Sequence, residues 1–172
     1  VIDLQIKEAQ ESYQTVIKLA KEMADQNVEF GIKAELAELL LKKSNVAKAW
    51  LLMRDELPAA LSADVKVHWL SVQSKVYFAS GSFAAAYQSL RDAEVLCQQM
   101  KQNSHESALV ISMEACALAQ RLQLTEAAES HLEQARKHAL MLGVETISAS
   151  TRWSLAVLEA ELHVASIASN GA

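Results

Sequence analysis

Apolar residues recur at spacings of three and four along almost the whole chain, the pattern of helices that each bury one face. The spacing predicts helices over 3–26, 29–43, 45–57, 64–80, 82–101, 105–121, 125–142 and 145–168. The residues between these segments fit that division. Asn45, Ser82 and Thr125 stand where a side-chain oxygen would cap the first turn of a helix. Pro58 follows the third segment and has no N–H with which to continue it. Gly81 and Gly143 fall where a left-handed residue ends a helix. Connections this short make consecutive helices antiparallel.

The pattern also repeats. Leu40–Ala49 aligns with Tyr77–Ala86, and Met53-Arg54-Asp55 with Leu90-Arg91-Asp92, at an offset of 37 residues. A third copy begins at Ala119 and brings Leu132 and Ala135 onto Leu90 and Ala93, at an offset of 42. A partial copy sets Ala9, Tyr13 and Val16 against Ala49, Met53 and Glu56, at an offset of 40. A closed bundle has no use for such a period, whereas stacked helix pairs do.

The repeat resembles the tetratricopeptide family, in which a large residue in helix A and a Gly at the turn are followed by Ala, a bulky residue and Ala in helix B. Tyr77, Gly81, Ala86, Leu90 and Ala93 match those places. Ser44 and Gln123 stand where Gly is usual, Glu56 where Ala is usual, and the final proline of the repeat is missing. The period exceeds the family's usual ~34 residues, which implies longer helices. The resemblance covers nearly the whole chain and implies an all-α, right-handed superhelical solenoid of antiparallel helix pairs with about eight helices. In that frame residues 1–172 form one repeat segment. It holds a leading helix B at 3–26, pairs at 29–57, 64–101 and 105–142, and a capping helix at 145–168. The unpaired leading helix, and a start at Val1-Ile2-Asp3 without Met, suggest a stretch of a longer protein. Ala86 is expected at the closest approach of helices 64–80 and 82–101, with Tyr77 and Leu90 filling the space beside it.

Composition agrees with the helices and narrows the function. Gly and Pro together number only five, too few for a strand-rich chain with frequent turns. The net charge of −5 supplies no basic surface for nucleic acid. No apolar run is long enough for a membrane span and no signal peptide is visible. Cys97 and Cys116 fall at apolar helical positions and read as buried thiols of an intracellular protein of cytoplasm or nucleus, not a secreted one.

Chemistry finds little footing. Of His68, His105, His131, His138 and His163, the pair His131 and His138 shares a helix face, but a metal site would need ligands from another helix. HLEQARKH is not HExxH, no GxSxG elbow is present, and the scattered glycines build no phosphate loop. Glu35/Glu38 and Glu126/Glu129 read as ordinary exposed carboxylates, and Lys42-Lys43 as a solvated helix end. Trp50, Trp69 and Trp153 occupy apolar positions that predict core packing, with a partner anchor as the alternative, since Trp is enriched at binding hot spots. The expectation is a chain with no catalytic residue, metal or cofactor.

The resemblance implies instead a scaffold that binds a protein or peptide, with A helices lining a groove. Carried over by register, the groove holds Ala34, Glu38 and Leu41, then Ser71, Lys75 and Phe78, then Met113, Ala117 and Gln120. Ala34 and Glu38 replace the basic and amide residues with which part of the family grips a C-terminal carboxylate, so that ligand is disfavoured. Long-helix repeats of this sort are also similar to those of subunit 5 of the anaphase-promoting complex, a ubiquitin ligase. The similarity lies in Leu36-Ala37-Glu38-Leu39, the spacing of Trp69, Lys75 and Phe78, and Cys97-Gln98-Gln99-Met100-Lys101. It implies a scaffold subunit. The sensor domains of large bacterial transcription activators are the alternative setting, where such repeats bind a small inducer or an inhibitor protein.

Overall fold

The computed structural model describes residues 2–100, 105–143 and 145–170, with side-chain surroundings over 7–100, 105–143 and 145–165. The described residues form eight helices and no strand. They are α1 (Ile2–Glu22), α2 (Gln26–Lys42), α3 (Val46–Met53), α4 (Ala63–Ala79), α5 (Phe83–Gln99), α6 (His105–Arg121), α7 (Thr125–Leu142) and α8 (Ala149–Asn170). The chain is therefore all-α, as the spacing predicts. None of these helices is long and apolar enough to cross a membrane.

Where boundaries differ from the sequence reading, a polar side chain explains the shift. α1 ends early because Asp25 caps α2, its carboxylate accepting from Val28 N at 3.1 Å. α3 stops at Met53, short of 57. Gln73 Nε2 donates to the Met53 carbonyl at 3.0 Å, and Lys33 holds Asp55 at 2.9 Å, outside any helix. Glu56, which breaks the Ala pattern of the repeat, is therefore an exposed loop residue with no packing to disturb. α8 starts at Ala149 rather than 145 because Ser148 Oγ accepts from Thr151 N at 3.1 Å. Thr125 is not a cap. Leu124 takes that place without a side-chain bond. The expected end of the fifth helix at 101 lies outside the described residues.

One turn recurs four times. The backbone N–H of Asp25, Asn45, Ser82 and Leu124 reaches back to the carbonyl of Ala20, Leu40, Tyr77 and Ala119 at 2.8–2.9 Å. The residue before each donor is left-handed: Ala24 and Ser44 at φ 56°, Gly81 at 81° and Gln123 at 59°. This is a Schellman-type ending, and its last residue is also the first cap of the next helix. Chain reversal is so tight that no room is left for a linker.

The chain divides into two compact units, Val1–Ser89 and Leu90–Ala172. In the first, α2 packs against α1, α3 and α4. Its core gathers Phe30, Ala34, Ala37, Leu40, Ala49, Met53, Leu61, Trp69, Val72 and Val76, with Tyr13 and Ile17 of α1 laid against it. The Phe30 and Trp69 rings meet at 4.9 Å. Ala86, on the first turns of α5, is fully buried in this unit. In the second unit α6 and α7 form a tight antiparallel pair closed by Leu109, Cys116, Ala119, Ala128, Leu132 and Ala135, with Leu90 and Ala93 buried on α5. α8 rests on α6 and α7 through Leu158 and Leu162 and is tied to α7 by Arg136 and Glu159 at 2.8 Å. Of the three tryptophans only Trp69 is core. Trp50 is 44% exposed and Trp153 73%, against the expectation of core packing.

Two outcomes follow from this packing. A non-glycine residue held left-handed carries strain that glycine lacks, so Gln123→Gly should stabilise the chain by roughly 0.5–1 kcal/mol in thermal melts. Ala86→Leu adds three carbons to an enclosed site and should destabilise by ~1–3 kcal/mol. A variant melting with the parent would mean that α4 and α5 have room to part.

Candidate partner-binding cleft

The residues carried onto a groove from the sequence have divergent fates. In the first unit Ala34 is fully buried and unavailable to a ligand. Glu38 and Lys75 meet in an ion pair of 2.7 Å that links α2 to α4. Burial alone would raise the Glu38 carboxyl, but the Lys75 ammonium outweighs it and holds the group below its ordinary value of 4.5. Leu41 packs against the core, Ser71 is half-buried, and Phe78 sets its ring edge-on to Phe83 at 5.3 Å. Most of this set is thus engaged within the unit.

In the second unit Met113 and Ala117 line a cleft of about 570 Å³ between α6 and α8, while Gln120 is half-buried and outside its lining. Val110, Met113, Glu114 and Ala117 form the α6 wall, at the spacing of one helix face. Ser150, Thr151, Trp153, Ser154, Val157 and Leu158 form the α8 wall. The cleft exists because α8 leans on its neighbours through few side chains. A second hollow of about 420 Å³ opens between α8 and α7, lined by Leu140, Ile147 and Leu155 among others. Trp153, Val157 and Val164 leave an apolar stripe of α8 open to solvent, on the helix the sequence assigns to capping. A polar outer face would be expected of a cap. Trp153 is the functional candidate that the sequence reading placed in the core. Apolar spacing alone cannot separate a buried stripe from an open one.

Polar side chains of α5, α6 and α7 also meet within this unit. Ser112 Oγ donates to Glu94 Oε1 at 2.9 Å, and His131 Nδ1 lies 3.2 Å from the same oxygen. Burial would raise the Glu94 carboxyl. The hydrogen bond and charge of His131, the Ser112 hydroxyl and the charge of His138 hold it below 4.5 instead. His138 Nδ1 stands 3.1 Å from His105 Nδ1. Its pKa is lowered by burial and by His105, with Glu94 opposing. Cys97 and Cys116 are both buried thiols outside any disulfide, as expected, and burial pushes Cys116 up to about 11, with Glu161 adding to the effect. A thiol so held is a poor nucleophile at neutral pH.

No family model matches the chain, and no curated protein matches it. Among solved structures the chain is similar to the crystal structure of BtubC (BKLC) from P. vanneervenii, with 19% sequence identity and a TM-score of 0.69. The likeness covers 91% of this chain and 66% of that one, so the chain spans just under two thirds of BtubC's length. At this identity the likeness shows the fold alone, an all-α stacking of helices.

The Glu94 contacts predict an acid dependence. A carboxyl whose folded pKa lies below its unfolded one stabilises the fold above the unfolded value, and that stability is lost as pH falls through the folded value. Stability should therefore decline as pH drops below 4.5, and Glu94→Gln should remove part of that slope. Thermal melts across the acid range check this. An unchanged slope in the variant would place the acid sensitivity in other carboxylates.

Proposed function

We propose that this chain is a non-catalytic, tetratricopeptide-like binding module that takes the apolar face of a partner protein segment in the cleft between α6 and α8. The observation that carries this reading is Trp153, 73% exposed at the wall of an apolar cleft on a helix with an open stripe. Tryptophan in such a place removes much apolar area from water on binding and is enriched at interface hot spots. The recurrent turn, and Ala49, Ala86 and Ala128 buried at matching repeat places, support the tetratricopeptide-like class. Ser112, Glu94 and His131 support a non-catalytic role. The hydroxyl donates to the carboxylate rather than to the imidazole, and Ser112 is fully buried, so no nucleophile is activated or reachable there. The net charge of −5 favours a partner segment flanked by Lys or Arg.

The reading is tested with helical peptides selected from a displayed library on the purified chain, their affinity measured by fluorescence anisotropy. Trp153→Ala should weaken binding about 30-fold, the loss expected of a hot spot worth ~2 kcal/mol. Trp50→Ala, in the other unit, should leave it unchanged. Selected peptides that bind Trp153→Ala as tightly as the parent, or a selection that yields no binder, would overturn the assignment of the cleft.

A further inference from the structure

We propose that the hollow between α7 and α8 binds an amphipathic carboxylate of medium acyl length, its chain on the apolar floor and its carboxylate on the guanidinium of Arg152. The site shares α8 with the partner cleft but lies against α7, so it stands apart from that reading. Its volume of about 420 Å³ falls in the range of small-molecule sites, ~300–1,000 Å³. Helical spacing builds the walls. Positions 136, 139 and 140 share one face of α7, and 152, 155, 156 and 159 share one face of α8. Ala139 and Ala156 leave open a gap that longer side chains would fill, and buried Leu109 of α6 closes the bottom. Leu140 stands at the mouth, 77% exposed, with apolar surface that a ligand chain would cover.

The charged side chains of the lining are Arg136, Arg152 and Glu159, one cation in excess. Arg136 and Glu159 hold each other at 2.8 Å, and Glu133, outside the lining, stands 3.8 Å from Arg136. Arg152 makes no ion pair and no side-chain hydrogen bond among the described residues. It lies two helical turns, about 10 Å, along α8 from Glu159, so an anion held by Arg152 is well separated from that carboxylate. The Thr151 hydroxyl beside it is engaged with Ser148 at 2.8 Å. An acyl chain anchored at Arg152 lies along Leu155 and Ala156 and faces Ala139 across the gap. Arg152 is exposed, so water weakens its pairing with a carboxylate, and the guanidinium sets the sign and orientation of the ligand more than its affinity. Burial of the chain supplies most of the affinity, in proportion to the methylenes covered.

The experiment is calorimetric titration of the chain with sodium decanoate below its micelle threshold, with decanol and decylammonium as the neutral and cationic counterparts. The parent should bind one decanoate with a dissociation constant on the order of 100 micromolar, and octanoate about 5-fold more weakly. Decylammonium should bind more weakly than decanoate. Arg152→Gln should weaken decanoate about 3- to 5-fold and leave decanol unchanged. Ala156→Phe fills the hollow without changing charge, on an exposed position, and should weaken both ligands at least about 10-fold. Circular dichroism confirms that each variant folds. Trp153→Ala, at the partner cleft, should bind decanoate as the parent does, so the two sites succeed or fail separately. No decanoate bound by the parent, an equal loss of decanol and decanoate in Arg152→Gln, or undiminished binding in Ala156→Phe would overturn the proposal.

Discussion

Helices in this chain meet on alanine. Ala34 and Ala37 on α2, Ala49 on α3, Ala86 and Ala93 on α5, Ala115 and Ala119 on α6, and Ala128 and Ala135 on α7 are all fully buried. A methyl group is the largest side chain that lets two backbones lie this close, and close backbones let the larger neighbours, Met53, Leu90 and Leu132, fill the space at the sides. The rest follows from that demand. Helices packed so tightly need the chain to reverse at once, and the left-handed turn after α1, α2, α4 and α6 provides the reversal. Only one of those four turns has the glycine that suits it, so packing imposes the turn on Ala24, Ser44 and Gln123.

Close packing also decides where polar groups can go. A buried polar side chain in such an interface must find its partner within it. Lys33 shows this in the first unit, lying over the Phe30 ring at 4.6 Å and between Glu29 and Asp55 at 2.8 and 2.9 Å. Burial alone would lower its pKa, and the two carboxylates outweigh that. In the second unit Glu94 gathers Ser112 and His131, and His105 faces His138. The Glu94 and His105–His138 contacts tie helices together at fixed register, since each joins residues far apart in the chain.

The cleft is the place where the rule relaxes. α6 meets α7 along its whole length, but α8 touches both through Leu158, Leu162 and the Arg136–Glu159 pair. Hollows open on either side of it, and Trp153 stands out into water. Apolar surface left open on an otherwise well-packed unit is the feature on which the proposed binding role rests.

The sequence by itself determined the elements. Periodicity placed the helices, and α6 and α7 begin and end where it put them. The repeat offsets located the alanines and the turns, because both obey local geometry that nearby residues encode. What it could not determine was which apolar residues would find a neighbour and which polar ones would meet. Trp69 and Trp153 look alike along the chain, yet one is enclosed and the other exposed, since burial depends on whether another helix arrives. Glu38 with Lys75, Glu94 with His131 and His105 with His138 are separated by 33 to 37 residues. Such pairs are set by the register in which whole helices stack, a property of the tertiary structure that no local window of sequence contains.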